Sequence, residues 1–160
     1  MFDGPSVVAA LEDCGVTHVA WIPDSDIGRW EPALRSASRL QLIRVCREGE
    51  AIALAAGLHL GGKRPLVLMQ CTGLFEAGDT LRNILHDLQL PLFFVIGVRS
   101  YNAHQRGTST DSCPVFTEPI LRAWQLPYVL LGDRHSAADL ALAYRQAQAK
   151  KQAFAVLIAE

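Results

Sequence analysis

Residues 91–98 (PLFFVIGV) are apolar almost without interruption. Side chains alternate between the two faces of a strand, so a sheet with one wet face alternates apolar with polar. An unbroken apolar run predicts instead a buried parallel strand, covered on both faces. Parallel neighbours need crossover connections, usually helices, and the rest of the chain alternates accordingly. Strands are predicted at 16–22, 40–46, 65–70, 91–98, 128–131 and 154–158. Between them lie a helix at 5–14 with Pro5 in its first turn and Gly15 at its end, and a helical stretch reaching about residue 38. A small-residue helix follows the second strand and is stopped by Gly61-Gly62-Lys63. Further helices are predicted at 76–88 and 117–125, and a last one runs from the N-cap Ser136 to Lys151. The pattern implies an α/β fold, a doubly wound, mainly parallel six-stranded sheet with helices on both faces. No repeat or linker divides residues 1–160, which read as one domain.

Half the residues are hydrophobic, the net charge is −1 and no basic run occurs. That argues against nucleic acid and anionic membrane as partners. No apolar run reaches a membrane span, and the polar start MFDGP is unlike a signal peptide. Cys14, Cys46, Cys71 and Cys113 lie far apart without a Cys-x-x-Cys pair, which predicts free thiols in a reducing cytoplasm. His18, His59, His86 and His135 lack metal-ligand spacing, so no protein metal site is expected. Trp21, Trp30 and Trp124 read as core or interface aromatics, and Cys71 as a small buried hydrophobe.

The chemistry-bearing segment is 47–57 (REGEAIALAAG). It places Glu48 and Glu50 where a strand passes to a helix, at the carboxyl end of the sheet where α/β folds bind ligands. A carboxylate there suits proton chemistry, and it equally suits capping the helix. Asp24-Ser25 after the first strand faces the same crevice, or forms an ordinary Asx or Ser turn. Gln70-Cys71-Thr72-Gly73-Leu74 follows the third strand as a glycine-containing loop. Residues 99–114 (RSYNAHQRGTSTDSCP) are the least regular and most polar part, a long loop of the kind that is functional or disordered. Arg99 ends the buried strand, placed to bind an anion through paired N–H donors or to pair with a structural carboxylate. His104 and Arg106 either close over such an anion or belong to a solvated surface.

In their order along residues 5–130, these pieces resemble the pyrimidine-binding domain of thiamine diphosphate-dependent decarboxylases, most of all the α subunit of sulfopyruvate decarboxylase and the matching half of phosphonopyruvate decarboxylase. The pieces are Gly15-Val16 to Ile22-Pro23-Asp24-Ser25, Arg47-Glu48-Gly49-Glu50 through Ala55-Ala56-Gly57, Met69-Gln70 with Thr72-Gly73-Leu74, and the apolar strand ending in Arg99. The resemblance implies that Glu48, nine residues before Gly57, contacts the aminopyrimidine ring and favours the tautomer that activates the cofactor. Glu50 is then an exposed or structural carboxylate. It further implies that Gln70, Thr72, Gly73 and Leu74 lie at the cofactor ring and that Asp24, Ser25, Arg99 and His104 face a small 2-oxo acid. The chain departs from the family's Gly-Leu-Gly-Asn with Gly73-Leu74-Phe75-Glu76, which changes pocket volume and charge.

The family binds magnesium and diphosphate through a Gly-Asp-Gly segment with a downstream Asn. Gly132-Asp133-Arg134 lacks the second glycine. The resemblance therefore implies a separate diphosphate-binding β subunit that supplies Mg2+, a site formed between subunits, and an assembly of α2β2 or larger. The alternative is a non-catalytic α/β binding or regulatory module that kept the fold. A nucleotide-binding protein ranks last, since there is no Gly-x-Gly-x-x-Gly and no P-loop.

Overall fold

The apolar run at 91–98 lies where its composition requires. Its core becomes strand β4 (Phe93–Val98), buried at every position, between β3 (Pro65–Gln70) and β6 (Phe154–Ala159). These positions come from a computed structural model, which describes residues 2–25 and 27–160. Beyond β3 lie β1 (His18–Trp21) and β2 (Gln41–Arg44), and beyond β6 lies β5 (Tyr128–Leu131). The strand order is β2-β1-β3-β4-β6-β5, and every pairing is parallel. Val95 sits opposite Leu68 on one side and Val156 on the other.

Strand alternation sends β4 into two separate cores. Phe93 and Val95 join Trp21, Trp30 and Tyr144 under helices α1 (Gly4–Asp13), α2 (Glu31–Ser36) and α8 (Ala137–Lys150). Phe93 meets Tyr144 edge-on with ring centroids 5.0 Å apart. Phe94, Ile96 and Val98 join Ala51, Ile52, Leu74 and Leu121 on the other face. That face is covered by α3 (Glu48–Leu60), α4 (Cys71–Glu76), α5 (Gly78–Arg82) and α7 (Cys113–Ala123). No described helix is long and apolar enough to cross a membrane.

The helix boundaries follow local chemistry. Asp3 caps α1 by accepting the Ser6 N–H at 2.9 Å, and Gly15 takes φ +75° just past the helix end, where a side chain would be strained. Ser136 and Asp139 form a reciprocal capping box at the start of α8.

Three expectations need correction. The single helix expected at 76–88 is instead α4, α5 and a π-helical turn (Asn83–Asp87), so the expected loop 71–74 is helical. The helix expected at 117–125 begins at Cys113, because Pro114 in its first turn starts a helix rather than breaking one. The expected loop 99–114 contains a short helix, α6 (Tyr101–Gln105).

After β1 the chain packs onto the α1/α2 face, whereas after β3 it packs onto the α3/α4 face. The two connections part there, at the carboxyl ends of β1 and β3, the topological switch point where a doubly wound sheet places its ligands.

Candidate functional site

Both glutamates of the 47–57 segment lie in the first turn of α3, two residues apart. Two residues on a helix is about 200° of rotation, so their side chains leave on nearly opposite sides. Glu50 turns back: its Oε2 accepts the backbone N–H of Cys46 at 2.9 Å, satisfying a donor ahead of the helix. Glu48 takes no hydrogen bond or ion pair among the described residues and is half-buried. The capping duty thus falls to Glu50, and the Glu48 carboxylate is not consumed by the fold.

Glu48 lies against the backbone of Gly73 in α4. A Cβ added at Gly73 would collide with Cγ, Cδ and Oε1 of Glu48. Any side chain at this position would displace the carboxylate, so the glycine is required by a close approach rather than by a turn. Gly49 does the same for α5, where an added Cβ would stand 2.9 Å from Thr80 Oγ1. Two missing side chains therefore let α4 and α5 pack closely on the first turn of α3, with α4 against the Glu48 carboxyl itself. Beneath it are the fully buried Ala51, Ile52 and Leu74, which limit the approach of water from the core side. A group with hydrogen-bonding atoms on a flat edge fits this arrangement: an unconsumed carboxylate faces a patch of bare backbone.

The neighbouring loops are more committed. The Asp24 carboxylate accepts the Trp21 indole N–H at 3.1 Å and the Ile27 amide at 2.8 Å, so it fixes the turn after β1. Ser25 is exposed on that turn. Gln70 precedes α4, and the Thr72 hydroxyl donates to its Oε1 at 3.4 Å. Phe75 packs partly against the core, and Glu76, half exposed, lies 3.9 Å from Arg47. The carboxylate that departs from the family pattern is thus next to a cation.

Arg99, at the end of β4, does not stand alone. Its Nε donates to Asp111 Oδ2 at 2.8 Å. The same oxygen accepts the Ser100 hydroxyl at 3.0 Å, while Asp111 Oδ1 accepts the Cys113 amide at 3.0 Å. These donors, the Arg99 guanidinium first, hold the Asp111 carboxyl well below its ordinary value. Ser100 adopts φ +60°, a left-handed conformation that persists only where surrounding contacts enforce it. Burial, reinforced by Asp111 and Cys71, pushes the Cys113 thiol up to about 12. His104 lies on α6 with a buried Nδ1 that has no hydrogen-bond partner among the described residues, and Arg106 is exposed.

Arg99 and Glu48 therefore approach the same short helix. Arg99 follows β4, whose Gly97 pairs with Gln70 immediately before that helix, and Glu48 abuts Gly73 within it. Sequence reasoning missed Asp111. Its signal, an acidic residue shortly before a helix that begins Cys-Pro, is an ordinary capping pattern and gives no hint of a partner twelve residues back. Among the described residues, no group of three His, Cys, Asp or Glu is arranged to hold a metal ion.

Comparison with known proteins adds a family match. Residues 4–118 match the model described as thiamine pyrophosphate enzyme, N-terminal TPP binding domain. The sulfopyruvate decarboxylase subunit alpha of Methanococcus maripaludis is 25% identical over 123 residues, covering 77% of this chain and 73% of that protein. The same subunit from Methanocaldococcus jannaschii is 23% identical over 94 residues, covering 59% of this chain and 56% of that one. The phosphonopyruvate decarboxylase of Streptomyces viridochromogenes is 34% identical over 91 residues, covering 57% of this chain and only 23% of that longer protein.

Proposed function

Because the chain belongs to the thiamine pyrophosphate enzymes, through their N-terminal TPP binding domain, we propose that it is the α-type subunit of a 2-oxo acid decarboxylase similar to sulfopyruvate decarboxylase. The observation that carries the reading is the Glu48 carboxylate, unconsumed by the fold and set against the bare backbone of Gly73. Relatives named as subunit alpha support a role as one half of a two-part enzyme.

Thiamine diphosphate, when bound, supplies the electron sink that lets carbon dioxide leave a 2-oxo acid. Glu48 would hold the aminopyrimidine edge, its carboxyl oxygen keeping a proton at ring nitrogen N1′. Gly73 leaves the carboxyl group its place, and Gln70 and Thr72 would border the same surface, with Leu74 buried below it. Ala51, Ile52 and Leu74 keep water from the buried side of the carboxylate, which strengthens any hydrogen bond it makes. Arg99 would bind the substrate's anionic end, with His104 and the Asp24-Ser25 turn completing the substrate side. Magnesium and the diphosphate are assigned to a separate β subunit, in an assembly of α2β2 or larger. The four cysteines are free thiols, which supports a reducing compartment such as the cytoplasm.

The test is reconstitution with a diphosphate-binding partner, thiamine diphosphate and Mg2+. The wild-type complex should decarboxylate a small 2-oxo acid, and Glu48→Gln should lower kcat by about a hundredfold or more, the scale of general acid–base contributions, with an unchanged circular dichroism spectrum. Robust turnover by the purified chain alone, or full activity in Glu48→Gln, overturns the reading.

A further inference from the structure

Arg99 is more than a cation at a strand end, because its orientation is fixed from below. Asp111 takes its Nε, and that bond leaves the edge formed by the two terminal nitrogens without a hydrogen bond among the described residues. A guanidinium has two edges that can present paired N–H donors, and the end-on edge is the one left available. The arginine side chain is 48% exposed and the aspartate 16%, so the buried partner anchors and the exposed partner reaches.

Asp111 is itself anchored. It accepts from the Ser100 hydroxyl and from the first amide of α7, and its own N–H donates to Ser109 Oγ at 3.1 Å. Ser100, directly after Arg99, is held in its left-handed conformation by this bond and by α6, whose His104 amide donates to the Ser100 carbonyl at 2.9 Å. The carboxylate thus controls both the backbone and the side chain of the β4 terminus. Such a construction suits an arginine that must meet a planar or tetrahedral anion in one orientation, and it exceeds what a solvated surface pair requires.

We propose that Asp111 is a positioning residue which holds Arg99 as a fixed end-on clamp for a second anionic group, a sulfonate, phosphonate or carboxylate, on a small 2-oxo acid. The proposal rests on the decarboxylase reading for the identity of the substrate, though not for the existence of the clamp. Asp111 touches no substrate; it acts through Arg99. A 2-oxo acid with an uncharged tail has nothing for the clamp to grip and should be indifferent to it.

Two measurements on the full chain test this. In the reconstituted complex, Asp111→Ala should raise KM for sulfopyruvate about tenfold while kcat and the kinetics on pyruvate stay within about twofold. Arg99→Ala should raise the KM for sulfopyruvate at least as much, and the double variant should be no worse than Arg99→Ala, as expected of residues acting as one unit. Asp111→Glu should recover part of the loss. Equal kcat losses on both substrates, or additive effects, overturn the proposal. If the complex decarboxylates no 2-oxo acid, the reading of the previous subsection fails and the clamp is judged by nuclear magnetic resonance of the arginine side-chain Nε–H groups. Wild type should show a slowly exchanging Arg99 Nε–H that is lost in Asp111→Ala and shifts on titration with sulfoacetate. An Arg99 signal indifferent to Asp111 or to the sulfonate overturns the proposal on its own.

Discussion

Two carboxylates at the carboxyl edge of the sheet are treated in opposite ways. Asp111, before α7, accepts from a guanidinium, a hydroxyl and an amide, and every one of those donors belongs to the protein. Glu48, at the start of α3, accepts from none of the described residues and is pressed instead against a glycine. Both are partly buried, yet the fold fills the hydrogen-bonding capacity of one and leaves that of the other unused. The saturated acid organises its neighbours. The unsaturated one, set against a bare glycine, is the acid proposed above to meet a group from outside. The contrast separates scaffold from chemistry without reference to any relative.

The sharpest way to break that contrast is to add a side chain at that glycine. Gly73→Ala introduces a Cβ that collides with the Glu48 side chain. The obstacle is a movable side chain and not backbone, and alanine has the better helix propensity, so the fold should tolerate it. The expected outcome is a melting temperature within a few degrees of wild type and a reconstituted rate reduced about a hundredfold, as for Glu48→Gln. A variant with full activity would show that the carboxylate does not work from this position.

The next prediction addresses the saturated acid. Asp111 has a folded-state pKa below its ordinary value of 3.8, first because Arg99 donates to it and next because of the Cys113 amide. A depressed carboxylate pKa stabilises the fold fully above the ordinary value, and that stabilisation is lost as pH falls through the lowered one. Thermal unfolding of wild type and Asp111→Asn should therefore differ by a constant amount between about pH 5 and 8, with the gap starting to narrow below about pH 4 and closing only in stronger acid, as the lowered pKa is passed. A gap that stays constant into acid would mean that the negative charge is not what the donors hold.

Much of the scaffold could be read from the chain. Strands 65–70 and 128–131 have the predicted limits, and Ser136 opens α8 with the expected cap, because those signals are local. The structure of 71–88 was hidden for a physical reason. Cys71-Thr72-Gly73-Leu74 has the composition of a loop, yet Gly73 serves a helix–helix contact that only the tertiary fold defines. The 99–114 segment was opaque for the same cause: its order comes from a carboxylate twelve residues from its arginine, and no periodicity encodes such a pair. From the residues alone Glu48 was legible only as one of two acids in a motif, and it was the family resemblance, counting nine residues back from Gly57, that chose it over Glu50. What distinguishes it from Glu50 is direction around a helix, and that depends on where α3 begins.

The smallest expected effect completes the comparison by asking whether Glu50 is scaffold only. Its carboxylate caps the N-terminal side of α3 through the Cys46 amide and points away from Gly73. Glu50→Ala removes one exposed capping bond, which costs about 1 kcal/mol. In a chain of this size that lowers the melting temperature by about 2–4 °C, and the same loss should appear in the midpoint of urea unfolding without a change in slope. The rate of the reconstituted complex should remain within about twofold, since the amide that loses its partner lies outside the crevice. Paired with Glu48→Gln, which should cost rate and not stability, the result gives two acids two residues apart with inverted phenotypes. If Glu50→Ala instead abolished turnover while leaving unfolding untouched, the assignment of the two carboxylates would have to be exchanged, and with it the position of the crevice around α3.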